Sequence, residues 1–234
     1  MSRFAISDIH GCAKTFEALL EQIALTKDDT LYLLGDLIDR GPGSKEVVDK
    51  VLQLQADGYK VECLLGNHEW LLLNAPYDDS RLINWLSRNG GAITLQSYGI
   101  QEDDFLSALP TDHAKFYRNL QYIIELEDYI LVHAGLNFRD EDPLSDYTAM
   151  LWIRDWQKSM DTQVTGNRKI VHGHTPRALH YLEADVKNEK CMVFNIDCGC
   201  VYSGDHFKGH LVALNLDTLE VYSQENLEGL VLVP

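Results

Sequence analysis

The first third of the chain alternates short apolar runs with amphipathic stretches. Arg3–Ser7 (RFAIS) is β-prone and predicts a strand, and the polar turn DIHG follows at once. Lys14–Leu25 places Phe16, Leu19, Leu20 and Ile23 at helical spacing until Asp28-Asp29-Thr30 breaks the pattern. Leu31–Leu34 predicts a second strand, and Gly41-Pro42-Gly43 marks a loop. A helix over Lys45–Gln55 then has Val47, Val48, Val51, Leu52 and Leu54 on its apolar face. Gly58 ends that helix and Val61–Leu65 predicts a third strand. This βαβαβ order implies parallel strand pairs under helical cover.

From about 69 to 127 the pattern is mainly helical, interrupted by Asn89-Gly90-Gly91 and Leu109-Pro110. Strands are expected again at Tyr129–Val132, Ile170–Val171, Met192–Ile196, His210–Leu216 and Leu219–Tyr222. No internal repeat and no Ser/Gly or Pro-rich linker divides the chain. The pattern predicts one α/β domain over 1–234: two layers of strand, helices outside, and a helical insertion at about 69–127.

Composition narrows the partners. The 234 residues are 45% hydrophobic and 24% charged, ordinary for a globular chain. No apolar run approaches the roughly 18 residues of a membrane span. The start MSRFAISDIHGC meets Asp8 and His10 too soon for a signal peptide. With 20 basic and 36 acidic residues the net charge is -16, which argues against nucleic acid as a partner. An anionic substrate would need local positive charge at its site. Five cysteines, an odd number without CxxC spacing, predict reduced thiols and a cytoplasmic chain. Cys198-Gly199-Cys200 lacks the partner pair of a zinc site and reads as small residues near a buried strand.

Five polar clusters sit just past apolar strands: Asp8-Ile9-His10-Gly11, Gly35–Gly41 (GDLIDRG), Gly66-Asn67-His68-Glu69, His133-Ala134-Gly135 and His172-Gly173-His174-Thr175. Ligands of open α/β sheets bind outside the carboxyl ends of strands. Asp and His suit Mn, Fe or Zn better than Ca. A carboxylate such as Asp36 can bridge two ions, Asn67 can offer a neutral carbonyl oxygen, and such a metal pair can clamp a phosphoryl group. Singly, each piece has a plainer reading. A lone His can be structural, Asp36 and Asp39 can cap the next helix, Asn67 can form a turn, and Arg40 can pair on the surface. His113, His180 and His206 lie outside the clusters and read as structural, and His172 as a packing neighbour of His174.

Together, DIHG, GDLIDRG, GNHE, HAGL and GHT resemble the phosphoprotein phosphatase family within the calcineurin-like metallophosphoesterases. The resemblance runs from about Arg3 to Leu216. GPGS after the second motif and WLSRNGGAITLQSYG at Trp85–Gly99 are similar to its compact bacterial and phage branch. It implies two mixed β-sheets packed as a sandwich with helices outside. Asp8, His10 and Asp36 would hold one divalent ion. Asp36, Asn67, His133 and His174 would hold the other, with Mn²⁺ first in expectation and Fe or Zn as alternatives. His68 would be the general acid, kept protonated by Asp39. Arg40 and Arg154 would bind phosphate together with Asn67 and His68. Ser7 and Ala134 stand where many members have Gly. Ile196-Asp197-Cys198-Gly199 replaces a tyrosine-containing loop, for which Tyr202 is a weak substitute.

The activity implied is direct, metal-assisted hydrolysis of a phosphomonoester without a phosphoenzyme. The expected substrate is a phosphorylated protein or peptide carrying phosphoserine, phosphothreonine or also phosphotyrosine, or a phosphorylated small molecule. The alternative is a bis(5'-nucleosyl)-tetraphosphatase, against which Asp39 and Glu69 lean, because those relatives resemble GDLVARG and GNHD. A non-catalytic phospholigand module is disfavoured, since binding alone needs no acid. Asp140, Glu141, Asp142 and Asp146 read as a solvated acidic loop.

Overall fold

A computed structural model describes residues 1–101, 105–205 and 207–229; His206 lies outside them. Its strands are β1 (Arg3–Ile6), β2 (Thr30–Leu33), β3 (Lys60–Cys63), β4 (Ile123–Glu125), β5 (Tyr129–Val132), β6 (Lys169–His172), β7 (Val193–Asn195), β8 (His210–Asn215) and β9 (Val221–Glu225). They form two mixed sheets, in the orders β3-β2-β1-β8-β9 and β4-β5-β6-β7. The βαβαβ start gives the parallel pairs β1·β2 and β2·β3, and β5·β6·β7 is parallel as well. The two sheets and the helices give the expected α/β class.

Side chains of a strand alternate between faces, and that alternation builds three layers of core. Phe4, Ile6, Leu31 and Leu33 face outward under helices α1 (Ala13–Gln22) and α2 (Ser44–Ala56). Ala5, Tyr32 and Leu34 face inward and meet Leu131, Val171 and Phe194 of the second sheet. Ile130, Val132 and Ile170 cover that sheet's far side with Leu136 and Trp156. The buried middle layer is the sandwich that the family resemblance implies.

The middle of the chain carries α3 (Asn67–Asn74), α4 (Asp79–Arg88), α5 (Gly91–Tyr98), α6 (Phe105–Ala108) and α7 (Thr111–Arg118). Later come α8 (Tyr147–Trp152) and α9 (Leu179–Asp185). Two expectations are corrected. The strand β4 lies inside the stretch read as helical; it has three residues, of which only Ile124 is buried, too few to show a period. The last strand begins at Val221, not Leu219. Asn215 Oδ1 accepts from the amides of Asp217 and Thr218, and Leu219 takes left-handed backbone (φ 59°) in that turn. No helix among the described residues is long and apolar enough to cross a membrane.

Candidate active site

Six of the ten non-glycine residues with left-handed backbone among the described residues are Asp8, His10, Asp36, Asp39, Arg40 and His174. Such backbone costs roughly 1–2 kcal/mol per residue and persists only where surroundings over-determine it. Here the loops after β1 and β2 determine each other. The amide of His10 donates to Asp36 O at 2.9 Å, that of Gly11 to Leu37 O at 2.8 Å and that of Gly41 to His10 O at 2.9 Å.

Glu69 ties the third loop to the second. Its buried carboxylate accepts from the amides of Asp36 (2.9 Å), Leu37 (2.7 Å), Ile38 (3.3 Å) and Gly66 (3.0 Å). Burial nevertheless pushes this carboxyl up to about 7. The fourth residue of GNHE is thus a loop clamp, a role the sequence reading did not assign. Its spacing from Gly66, the N-cap and N3 positions of α3, carried the signal.

The side chains converge on Asp36. Its Oδ2 lies 3.6 Å from His10 Nε2 and 3.8 Å from His68 Nε2, while its Oδ1 lies 3.5 Å from His133 Nε2. Each carboxylate oxygen therefore faces a different group of donors. One group is His10, Asp36 and His68; the other is Asp36, His133 and His174, and every member is buried. Asn67 joins the second group, its Oδ1 standing 2.9 Å from His133 Nε2 and 2.8 Å from His174 Nδ1. Asp8 is buried beside these groups, its carboxylate held by Ser7 Oγ and by the amide of His174 at 3.1 Å.

These donors fit a pair of cations. His10 Nδ1 faces the carbonyl of Ile38 at 3.0 Å and His133 Nδ1 that of Leu34 at 2.8 Å. Those bonds place the ring protons on Nδ1 and leave the Nε2 lone pairs pointing inward. The bare His133 Nε2 then meets a carbonyl oxygen of Asn67, a repulsion that a cation relieves. His174 Nε2 is buried without any hydrogen-bond partner. Burial pushes Asp8 and Asp36 upward, each further raised by a neighbouring carboxylate, Asp197 and Asp8 respectively. It pushes His10 well down, His133 to about 3 and His174 to about 2. Burial thus penalises an isolated charge of either sign here, while neutral imidazoles and carboxylates together form the donor set of a divalent cation.

His68 Nδ1 meets Asp39 Oδ2 at 2.7 Å, and both are buried. Asp39 also accepts from Trp85 Nε1 (2.8 Å) and Thr94 Oγ1 (2.6 Å). Trp85 and Thr94 come from α4 and α5, so the helical segment buttresses the site. A Cβ at Gly90 would lie 2.3 Å from Arg40 N, so Asn89-Gly90-Gly91 is the turn that packs on that loop. Burial and the charge of Arg40 push His68 well down, and burial raises Asp39 to about 7 against its hydrogen bonds. The short contact gives the pair the geometry to share one proton.

Arg40 Nη1 lies 2.8 Å from His10 Nε2. Arg154 is exposed just past α8, and its charge lowers both His133 and His174. Asp197, two residues past β7, carries the buried oxygen Oδ2 without a partner. Its charge raises Asp8, and its carbonyl accepts from the amide of Arg177 at 3.0 Å. The sequence reading noted Asp197 only as part of a replaced loop.

The remaining residues take plain places. His172 packs on Trp156 and faces the Gly173 carbonyl; His113 bonds Tyr98 and Asp49. His180, on α9, packs on Tyr181. Tyr202 lies under the Lys208 ammonium, and Cys198 and Cys200 are buried free thiols. Asp146 caps α8 at the Ala149 amide, so it belongs to the helix and not to a solvated loop.

A family model described as calcineurin-like phosphoesterase matches residues 1–213. Symmetrical bis(5'-nucleosyl)-tetraphosphatases of Cronobacter sakazakii and Salmonella typhimurium are 42% and 40% identical to this chain over 107 residues. That stretch covers 38% of this chain and 37% of each relative, so little more than a third of those proteins is matched. A solved structure provisionally described as a diadenosine tetraphosphatase superposes with TM-score 0.64 at 22% identity, over 97% of this chain and 94% of that one. A cold-active protein tyrosine phosphatase gives 0.61 at 19% identity, over 96% and 79%. A protein serine/threonine phosphatase from Saccharomyces cerevisiae gives 0.60 at 15% identity, over 96% and 80%. The superpositions speak to fold. With the family model spanning nearly the whole chain, this protein belongs to the calcineurin-like phosphoesterase family.

Proposed function

We propose that the chain hydrolyses dinucleoside polyphosphates, with a bis(5'-nucleosyl) tetraphosphate as substrate. The observation that carries this choice is the 42% identity to symmetrical bis(5'-nucleosyl)-tetraphosphatases. In this reading the leaning of Asp39 and Glu69 toward a protein phosphatase is outweighed. Glu69 holds the loops together through its carboxylate, a task that does not depend on the substrate.

Asp8, His10 and Asp36 would hold one divalent ion, and Asp36, Asn67, His133 and His174 the other, with Mn²⁺ the first ion to test. Such a pair supplies Lewis acidity and brings the pKa of water from 15.7 to about 7. The chain's own residues do the rest. Arg40 and Arg154 bind phosphate oxygens, and Asn67 and His68 help orient them. Ile9 and Leu37, within the first two loops, are buried in the core and anchor those loops. His68 and Asp39 carry a proton within reach of the departing oxygen.

A second reading, phosphomonoester hydrolysis on phosphoserine or phosphothreonine proteins, is favoured by that last pair. A nucleotide leaves with little need of protonation, whereas a serine alkoxide needs a proton, and the 2.7 Å contact of His68 with Asp39 is the arrangement that would supply it. The deciding experiment is a side-by-side assay of the Mn²⁺-loaded protein on diadenosine tetraphosphate and on phosphopeptides. Higher kcat/KM on the dinucleotide, with ADP as product, is expected. Higher kcat/KM on the phosphopeptides would replace the first reading by the second.

A further inference from the structure

Phosphoryl chemistry accounts for the charged and metal-capable side chains of the site but leaves an aromatic pair at its edge without a task. Trp152 ends α8, whose Ala149, Met150 and Leu151 are all buried, yet it is 38% exposed. It is the most exposed of the four tryptophans; Trp85 and Trp156 are buried and Trp70 is half-buried. The Trp152 ring stands 6.4 Å from the ring of His174 at 87°, and 6.0 Å from Trp70 at 88°. Trp70 directly follows Glu69 on α3, and the Arg81 guanidinium lies 4.9 Å from its ring centre. Trp70 and Trp152 therefore each have two neighbours, Trp70 the Trp152 ring and Arg81, Trp152 the rings of Trp70 and His174.

The next residues fix what Trp152 sits beside. Ile153 breaks the helix (φ -65°, ψ 143°), and Arg154 follows it two residues past Trp152. The charge of exposed Arg154 adds to burial in lowering His133 and His174, so it lies near the site. An exposed indole thus stands at the rim of the site, its ring 6.4 Å from that of His174, a candidate metal ligand. A nucleotide bound by its phosphates at this centre carries its base outward over such a distance. A flat aromatic ring at the rim is the group that binds any nucleobase through its face.

We propose that Trp152, braced by Trp70, is the stacking platform for one nucleobase of a nucleotide substrate. The proposal rests on the dinucleotide reading of the site and adds the group that recognises what lies beyond the phosphate. Trp152 is a specificity-determining residue in this scheme and takes no part in the chemical step.

The test pairs Trp152→Ala with Trp152→Phe in the Mn²⁺-loaded protein and uses two readouts. The first is the ratio of kcat/KM on diadenosine tetraphosphate to that on p-nitrophenyl phosphate. Losing one stacked base should lower that ratio about tenfold in the Ala variant, mainly through KM, and Phe should restore most of it. A ratio that stays constant, or a Phe variant as poor as the Ala variant, would overturn the platform. Constancy through equal losses on both substrates would make Trp152 a brace for His174 instead.

The second readout is the affinity for ADP and for inorganic pyrophosphate, followed by tryptophan fluorescence without turnover. Trp152→Ala should weaken ADP about tenfold and pyrophosphate far less. If the wild type fails to hydrolyse the dinucleotide yet shows this ADP pattern, the platform stands and the dinucleotide reading falls. If the dinucleotide is hydrolysed while ADP affinity ignores Trp152, the reading stands and the platform falls.

Discussion

The loops after β1, β2 and β3 are joined by main chain and by one buried carboxylate, that of Glu69, whereas those after β5, β6 and β7 are joined to one another by single main-chain bonds, Gly173 N to His133 O and Arg177 N to Asp197 O. In the first group, amides of His10, Gly11 and Gly41 and the four donors of Glu69 form one connected set. In the second, His133 Nδ1 spans to Leu34 O, and the His174 amide spans to Asp8. The first sheet therefore supplies a half-site clamped by a buried carboxylate, and the second supplies ligands of which the His133 ring and the His174 amide are anchored on the first. Asp36 belongs to the first half but presents one oxygen to each.

That difference can be broken by substitution. Asp36→Asn should abolish measurable turnover and lower Mn²⁺ binding from two equivalents toward none, read by elemental analysis. His133→Asn, in the second half, should remove one equivalent only. The contrast between the halves fails if both variants lose both ions.

His68→Asn comes next in size. Loss of a positioned acid is typically worth ~10²–10⁴-fold, so kcat on an alkyl phosphoester should fall by that order with both metals retained. On p-nitrophenyl phosphate, whose leaving group needs little proton, the loss should be much smaller. Asp39→Asn should follow the same pattern more mildly. Equal losses on both substrates would make His68 a positioning residue.

Glu69→Gln sharpens the wiring of the first half. The amide group turns an NH₂ toward a set of N–H donors, leaving buried groups unpaired at ~1–3 kcal/mol each. A fall in Tm on the order of 5–10 °C is expected for a chain of this size. Mn²⁺ affinity should weaken by roughly 10–100-fold, as when a metal ligand loses its outer partner. Unchanged metal affinity with a lowered Tm would confine Glu69 to folding.

The smallest effect concerns pH and the second half. Burial holds His172 at about 4, below its ordinary 6.5. Between those values the unfolded chain binds a proton that the folded chain does not, so stability falls as pH drops from about 6.5 toward 4. The slope contributed by one such group is at most about 1.4 kcal/mol per pH unit. Urea unfolding across that window should show a shallower loss for His172→Gln than for the wild type. An identical pH slope would mean that His172 is protonated in the folded chain.

The legibility of the sequence divides along the same line. DIHG, GDLIDRG and GNHE are contiguous because parallel strands deliver each loop intact, so their residues could be assigned a place from the string alone. Strand β4 and the start of β9 escaped, one being too short for a period and the other set by the Asn215 side chain. Trp85 and Thr94 entered the sequence reading only within WLSRNGGAITLQSYG; nothing local in the sequence says that they bond Asp39, more than 40 residues away. Asp197 stayed hidden for the same reason, since only the fold brings its charge to bear on Asp8.

The left-handed residues of the loops bear on how copies of such a chain diverge. Glycine occupies that backbone region freely, and asparagine tolerates it. At Asp8, His10, Asp36, Asp39, Arg40 and His174, a change to glycine would relax the main chain while deleting a side chain of the site. Duplicates freed from catalysis but still required to fold would drift toward glycine at these positions before the strands beneath them changed. An intact sandwich with glycine-rich loops is therefore the fingerprint of a pseudoenzyme descended from this architecture.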